Sequence, residues 1–207
     1  MRYYLFDEVC LHNKKDDFWI IIHDNIFNLT PMLKDRYDSW NKNLDLLLSF
    51  GGKDISHFFL YNNLPKTEIS PVTGKPRVLF PPILEAAVSE HCKTTGKLWS
   101  QDSFYHIGRL TRKERRLRII NTLTGTTTAM KVCDEDTIYD IQRKYSELYN
   151  SHAGSYLWRK FSYGGDCPGE LLLHETLDGN GLVDEETDIE LPPPSIWLYY
   201  TNDLTIA

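Results

Sequence analysis

The chain has 207 residues, enough for one or two domains, and 41% of them are hydrophobic, which suits ordinary globular cores. A formal net charge of −6 argues against a dedicated nucleic-acid binder, which carries a strongly basic domain. No stretch approaches the ~20 apolar residues that span a bilayer, and the first residues lack the basic-then-apolar pattern of a signal peptide, so a soluble cytoplasmic chain without membrane contact is expected.

Trp19-Ile20-Ile21-Ile22 is rich in β-formers, and Asp24-Asn25 signals a turn. Pro31 suits the first turn of a helix capped by Thr30. Leu44, Leu47 and Leu48 recur at helical spacing, and Gly51-Gly52 ends that helix. Asp54 or Ser56 then caps a further helix carrying Phe58 and Phe59. From 63 to about 98 the chain holds Pro65, Pro71, Pro76, Pro81 and Pro82, a density that stops regular helix and central strand. A connector is expected there, with a helical turn or two around Ile83-Leu84-Glu85-Ala86-Ala87-Val88.

Further on, Leu117 and Ile119 alternate with Arg116 and Arg118, as in a half-buried strand. Thr124-Gly125 turns the chain, and Thr128-Ala129-Met130-Lys131-Val132 returns as the second arm of a hairpin. Thr137-Ile138-Tyr139-Asp140 resembles a capping box opening a helix whose buried face is Ile138, Ile141, Tyr145 and Leu148. Ser155-Tyr156-Leu157-Trp158-Arg159 and Ile196-Trp197-Leu198-Tyr199-Tyr200 read as strands, with a tight turn at Asp178-Gly179-Asn180-Gly181 between them. This order resembles the ubiquitin-like β-grasp fold.

The chemistry-bearing residues are sparse. Cys10, Cys92, Cys133 and Cys167 form no Cys-x-x-Cys pair and read as reduced thiols. The histidines show no zinc-protease spacing, and no metal site is expected. Gly51-Gly52 and Gly164-Gly165 precede no Lys-Ser/Thr pair at phosphate-loop spacing, and no nucleophilic triad stands out, so no catalytic residue is assigned. Asp184-Glu185-Glu186-Thr187-Asp188-Ile189-Glu190 is read as a solvated loop without calcium-loop spacing. The densely basic run from Arg109 to Arg118 is either a solvated strand face or a dock for an acidic partner. The docking alternative assigns partner contacts to Arg112, Arg115 and Arg116, with Trp99, Phe104 and Tyr105 as exposed aromatic anchors. A conjugated modifier is not expected, because the sequence closes on Ile206-Ala207 and not on glycine.

Several stretches resemble the cytochrome b5 family. They are Tyr3-Tyr4-Leu5-Phe6-Asp7-Glu8-Val9, Phe18-Trp19-Ile20-Ile21-Ile22, Asp24-Asn25-Ile26-Phe27-Asn28-Leu29-Thr30 and Gly52-Lys53-Asp54-Ile55-Ser56-His57-Phe58-Phe59. The resemblance puts Trp40-Asn41-Lys42-Asn43 where that family carries its haem-binding His-Pro-Gly-Gly, so Trp40 takes the first ligand position and the second falls near Leu64. A cytochrome b5-like domain followed by a β-grasp domain resembles, more narrowly, a family of cytochrome b5 domain-containing proteins of motile cilia. Ile69-Ser70-Pro71-Val72-Thr73-Gly74, Gly108-Arg109-Leu110, Arg118-Ile119-Ile120-Asn121-Thr122-Leu123-Thr124 and Asn150-Ser151-His152-Ala153 carry that likeness, with Tyr200-Thr201-Asn202-Asp203-Leu204-Thr205.

The resemblance implies a place in the cytoskeleton of the ciliary axoneme, at the radial spokes. It also implies haem binding and redox signalling in control of beating. The family's further candidate axial histidine falls on Glu68 here.

The expectation is therefore an α+β chain: residues 1–62 cytochrome b5-like, 63–98 a proline-rich connector, and 99–207 an extended lead-in followed by the β-grasp domain. Residues from about 108 onward are expected to fold alone. The expected function is a non-enzymatic structural or interaction component of the axoneme, contributing to ciliary beating. Its partners would be radial-spoke and other axonemal proteins, with no nucleic acid, no membrane and no cofactor. The alternative is a redox-signalling or electron-transfer protein of the cilium that binds haem through atypical ligands.

Overall fold

The computed structural model describes residues 1–34, 44–79, 96–160, 169–183 and 193–200. Trp40, the helical turns expected at 83–88, Gly164-Gly165 and the acidic run 184–190 lie outside the described residues. The class is α+β, divided into two compact units, Met1–Leu110 and Thr111–Ala207.

The first unit opens with β1 (Tyr3–Tyr4), α1 (Phe6–Cys10), β2 (Asn13–Lys14), β3 (Asp17–Ile22) and β4 (Asn25–Asn28). β3 and β4 form an antiparallel hairpin through His23 and Asp24, both at positive φ, which the expected Asp24-Asn25 turn signal foreshadowed. Then come α2 (Thr30–Lys34), α3 (Leu44–Leu48) and a small hairpin of β5 (Thr67–Ile69) and β6 (Pro76–Val78). The unit closes with β7 (His106–Leu110).

β7 sits inside the five-stranded sheet, whose order is β1-β7-β4-β3-β2. It runs parallel to β1, pairing Tyr3 with Arg109, and antiparallel to β4, pairing Ile26 with Gly108. This corrects the expected boundaries, because residues 99–110 complete the first unit instead of leading into the second. Local pattern could not reveal a pairing across so many intervening residues with a proline-dense stretch between. Gly108 is required at the junction, since a Cβ there would lie 2.5 Å from the Arg2 carbonyl oxygen.

Both faces of this sheet are packed. Phe18, Ile20, Ile22, Phe27, Leu47, Ile55, Phe59, Trp99 and Tyr105 form the larger cluster. Tyr4, Val9, Ile21 and Ile26 form the smaller one, with Trp19, Ile107 and Leu110 against it. That is why β3 reads as an unbroken apolar run instead of an alternating one.

The helix expected to carry Phe58 and Phe59 is only a single 3-10 turn, Ser56–Phe58. The Asp54 carboxylate accepts the Ser56 backbone N–H at 2.8 Å, but Phe59 is already extended. The chain then turns at Asn63, which has positive φ, and Lys66 donates its N–H back to the Phe58 carbonyl.

The second unit comprises β8 (Glu114–Asn121), β9 (Thr126–Cys133), α4 (Ile138–Leu148), β10 (Tyr156–Lys160) and β11 (Ser195–Tyr200). Its four-stranded sheet has the order β10-β11-β8-β9, with β11 parallel to β8 and the other pairs antiparallel. α4 begins with the expected capping box, in which the Thr137 side chain accepts the Asp140 N–H and the Asp140 carboxylate accepts the Thr137 N–H. Ile138, Ile141 and Tyr145 pack on the sheet with Leu117, Ile119, Trp158, Ile196 and Leu198. Leu148, expected on the same helical face, is exposed at the helix end.

Candidate functional site

The haem-ligand positions offer no suitable donor set. Iron in a b-type centre takes one or two strong axial donors, normally imidazole. Trp40 has an indole N–H, which donates and has no lone pair for a metal. Leu64 has no donor in its side chain, and its carbonyl accepts the Leu60 N–H at 2.8 Å. Glu68 lies on β5, where its carboxylate accepts a 2.6 Å hydrogen bond from Arg77 Nε across the hairpin. The core of the first unit is filled by its own side chains. The Trp99 indole, 1% exposed, meets Phe27 and Phe59 edge-on at centroid distances of 5.9 and 5.8 Å. The residues present do not fit an axially ligated haem.

Among the described residues of this unit, His12 and His23 have local partners. His12 stacks on Trp19 at 3.5 Å while its Nδ1 lies 2.7 Å from the Asp17 carboxylate. His23 Nδ1 lies 3.2 Å from Asn63 Oδ1, and His57 is exposed on the 3-10 turn. His106 borders a cavity of about 260 Å³ lined by Asn25, Phe27, Asn63, Ser100 and Asp102, among others. Its Nε2 is buried and has no hydrogen-bond partner among the described residues. Several of the other polar groups around that cavity are spent on the chain: Asn25 donates to the His23 carbonyl, Ser100 to the Asn63 carbonyl and Gln101 to the Asn62 carbonyl. No cluster of three or more metal-binding side chains occurs among the described residues.

The basic run divides by strand alternation. Arg112 and Arg116 are exposed as expected. Arg115 points the other way and is 1% exposed. Its Nη1 donates to Asp178 Oδ1 at 2.6 Å and lies 3.4 Å from Asp134, while Nη2 donates to the Leu182 carbonyl. The docking role expected for Arg115 is therefore corrected. The guanidinium fastens the turn before β11 to the hairpin, a fixed fork satisfying several acceptors at once. Two of the expected exposed anchors are corrected as well. Trp99 and Tyr105, at 1% and 6% exposure, belong to the first unit's core, and only Phe104, at 70%, stands out to solvent. A lead-in segment reads as exposed until β7 is known to join the first sheet.

Burial raises the Asp136 carboxyl above its ordinary value, opposed by Lys144 at 2.7 Å and by the Cys133 N–H. Cys133 is fully buried, and Cys10 donates weakly to the Gly52 carbonyl.

Sequence reading missed the face of the second sheet turned away from α4. Residues directly opposite one another in a ladder share a face. Arg159 pairs with Trp197, Trp197 with Ile120, Leu157 with Tyr199 and Arg118 with Ser195. Arg116 pairs with Lys131 on the same side. The Trp197 and Tyr199 rings stack with centroids 6.1 Å apart, and the Arg159 guanidinium lies 5.4 Å from the Tyr199 centroid. The alternation within Ile196-Trp197-Leu198-Tyr199-Tyr200 was the available signal, but it does not say which strands lie alongside.

Known proteins match both units. A family model described as a cytochrome b5-like heme/steroid binding domain covers residues 6–110, nearly the whole first unit. Cytochrome b5 domain-containing protein 1 of Xenopus laevis is 36% identical over 218 residues, spanning 99% of this chain and 96% of that protein. The human protein of the same name is also 36% identical, spanning 99% of this chain and 92% of its own length. A rice cytochrome b5 is 38% identical over 58 residues, 28% of this chain and 39% of that protein.

Proposed function

The chain belongs to the cytochrome b5 domain-containing protein 1 family, and we propose that it is a non-enzymatic interaction component of the motile-cilium axoneme, seated at a radial spoke and contributing to ciliary beating. The observation that carries this reading is the end-to-end similarity to that family across both units. The second unit is read as a ubiquitin-like β-grasp: hairpin, helix and strand, then a last strand inserted parallel beside the first.

The scaffold reading is supported by the chemistry of the ligand positions. A tryptophan, a leucine and a carboxylate held by Arg77 leave iron without an imidazole pair at those positions. The cytochrome b5 fold then acts as a shape, and the second unit as a binding surface.

The test is location in a ciliated cell. A tagged full chain should remain with demembranated axonemes and map to radial spokes by electron tomography. Loss of the tag into the detergent-soluble fraction, or its even spread along axonemes lacking spokes, overturns the reading.

A further inference from the structure

We propose that the face of the second sheet turned away from α4 docks an acidic polypeptide segment bearing an aromatic or branched apolar anchor, an inference that deepens the interaction-module reading. The inner face of this sheet is accounted for by packing against α4. The outer face is built differently. Trp197, Tyr199, Ile120 and Leu157 make an apolar centre of half-buried side chains in adjoining strands. Arg159 lies beside Tyr199, and Arg118 donates from Nε to Ser195 Oγ at 3.0 Å, so each guanidinium is positioned at the rim by its neighbours. Tryptophan, tyrosine and arginine are the residue types that dominate binding energy at protein interfaces.

Charge decides the occupant. Among the described residues, Arg116, Arg118, Lys131 and Arg159 share this face with two acids, Glu114, which lies 3.1 Å from Lys131, and Glu170, bridged opposite Arg159, so the cations outnumber the acids. The chain as a whole is −6, so the face runs against the sign of the rest. A second copy related by a twofold axis would bring the same cations against themselves. A nucleic acid would find bases to stack, but it would also meet the repulsion of an acidic chain. An acidic segment is attracted by the rim, and an anchor side chain displaces water from the centre.

The test uses the full chain and a fluorescein-labelled peptide of glutamates interrupted by one phenylalanine and one leucine. The wild type should bind it, more weakly as salt rises, and should ignore the same peptide with lysines for glutamates. Trp197→Ala should weaken binding about tenfold or more. Arg116→Glu changes an exposed residue and leaves the fold intact, so its several-fold loss at low salt reads the charge alone. No binding by the wild type, or equal binding by wild type and both variants, overturns the proposal. So does a preference for single-stranded RNA, or self-association through this face in sedimentation. If the wild type binds the peptide yet is absent from axonemes, the axonemal reading fails and this one stands. If it lies at spokes but ignores the peptide, the reverse holds.

Discussion

The two sheets differ in how they use their faces. In the first unit both faces are covered, one by the cluster around Trp99 and the other by Tyr4, Val9 and Ile26. In the second, α4 covers one face, and the other carries Trp197, Tyr199 and arginines. A sheet packed on both sides spends its side chains on its own stability, with Trp99 buried in the larger cluster. Among the described residues, the second sheet's outer face leaves half-buried aromatics and arginines, the surface we propose for recognition. The family model thus matches one unit and the surface we propose for partners lies in the other, as expected when function resides in sites and not in folds.

The sharpest way to break this contrast is to cut the chain. A fragment of residues 1–110 should unfold cooperatively, as should 111–207, because each holds its own core. A fragment of 1–62 should not, since it lacks β7, Trp99 and Tyr105. Urea titration followed by tryptophan fluorescence reads all three, and a cooperative transition in 1–62 would show that β7 is dispensable.

A smaller effect separates neighbouring arginines. Arg115→Ala should cost about 3 kcal/mol, because it unfastens Asp178 and leaves the Leu182 carbonyl without its buried donor. Arg116→Ala, on the exposed side, should stay within about 0.5 kcal/mol. Equal losses in the two variants would contradict the assignment of inner and outer faces.

The smallest effect is on pH dependence. Burial lifts the Asp136 carboxyl, so between the ordinary carboxylate value and the raised one the folded chain keeps a proton that the unfolded chain has released. The stability this group contributes therefore grows as pH falls through that window and is lost as pH rises through the folded value. Asp136→Asn should lose stability relative to wild type on acidification through the window, by at most ~1.4 kcal/mol per pH unit. Parallel stability curves would contradict a raised Asp136.

Much of the second unit was legible because its periodicities are local. Leu117 and Ile119 alternate with arginines, Thr137 and Asp140 cap a helix, and both appear where those patterns fall. The same alternation held the correction to Arg115: it shares parity with Leu117 and Ile119, yet its charge suggested solvent, and buried acceptors prevailed. The first unit was legible up to Asp54 through its family motifs. The end of that unit was not, because β7 is fixed by partners at Tyr3 and Asn25 that no window of sequence brings together. Trp99 and Tyr105 were misplaced for the same reason. Only Gly108, obligatory against the Arg2 carbonyl, carried a trace of the contact. The outer face of the second sheet needs strand order, which alternation alone does not supply.

We propose that the cytochrome b5 fold here serves as a scaffold without an iron centre. The most direct measurement is visible absorption of the purified full chain titrated with haemin, oxidised and then reduced. No sharp Soret peak and no resolved α and β bands of a six-coordinate b-type centre should appear at any ratio. A stoichiometric bis-imidazole spectrum would contradict it.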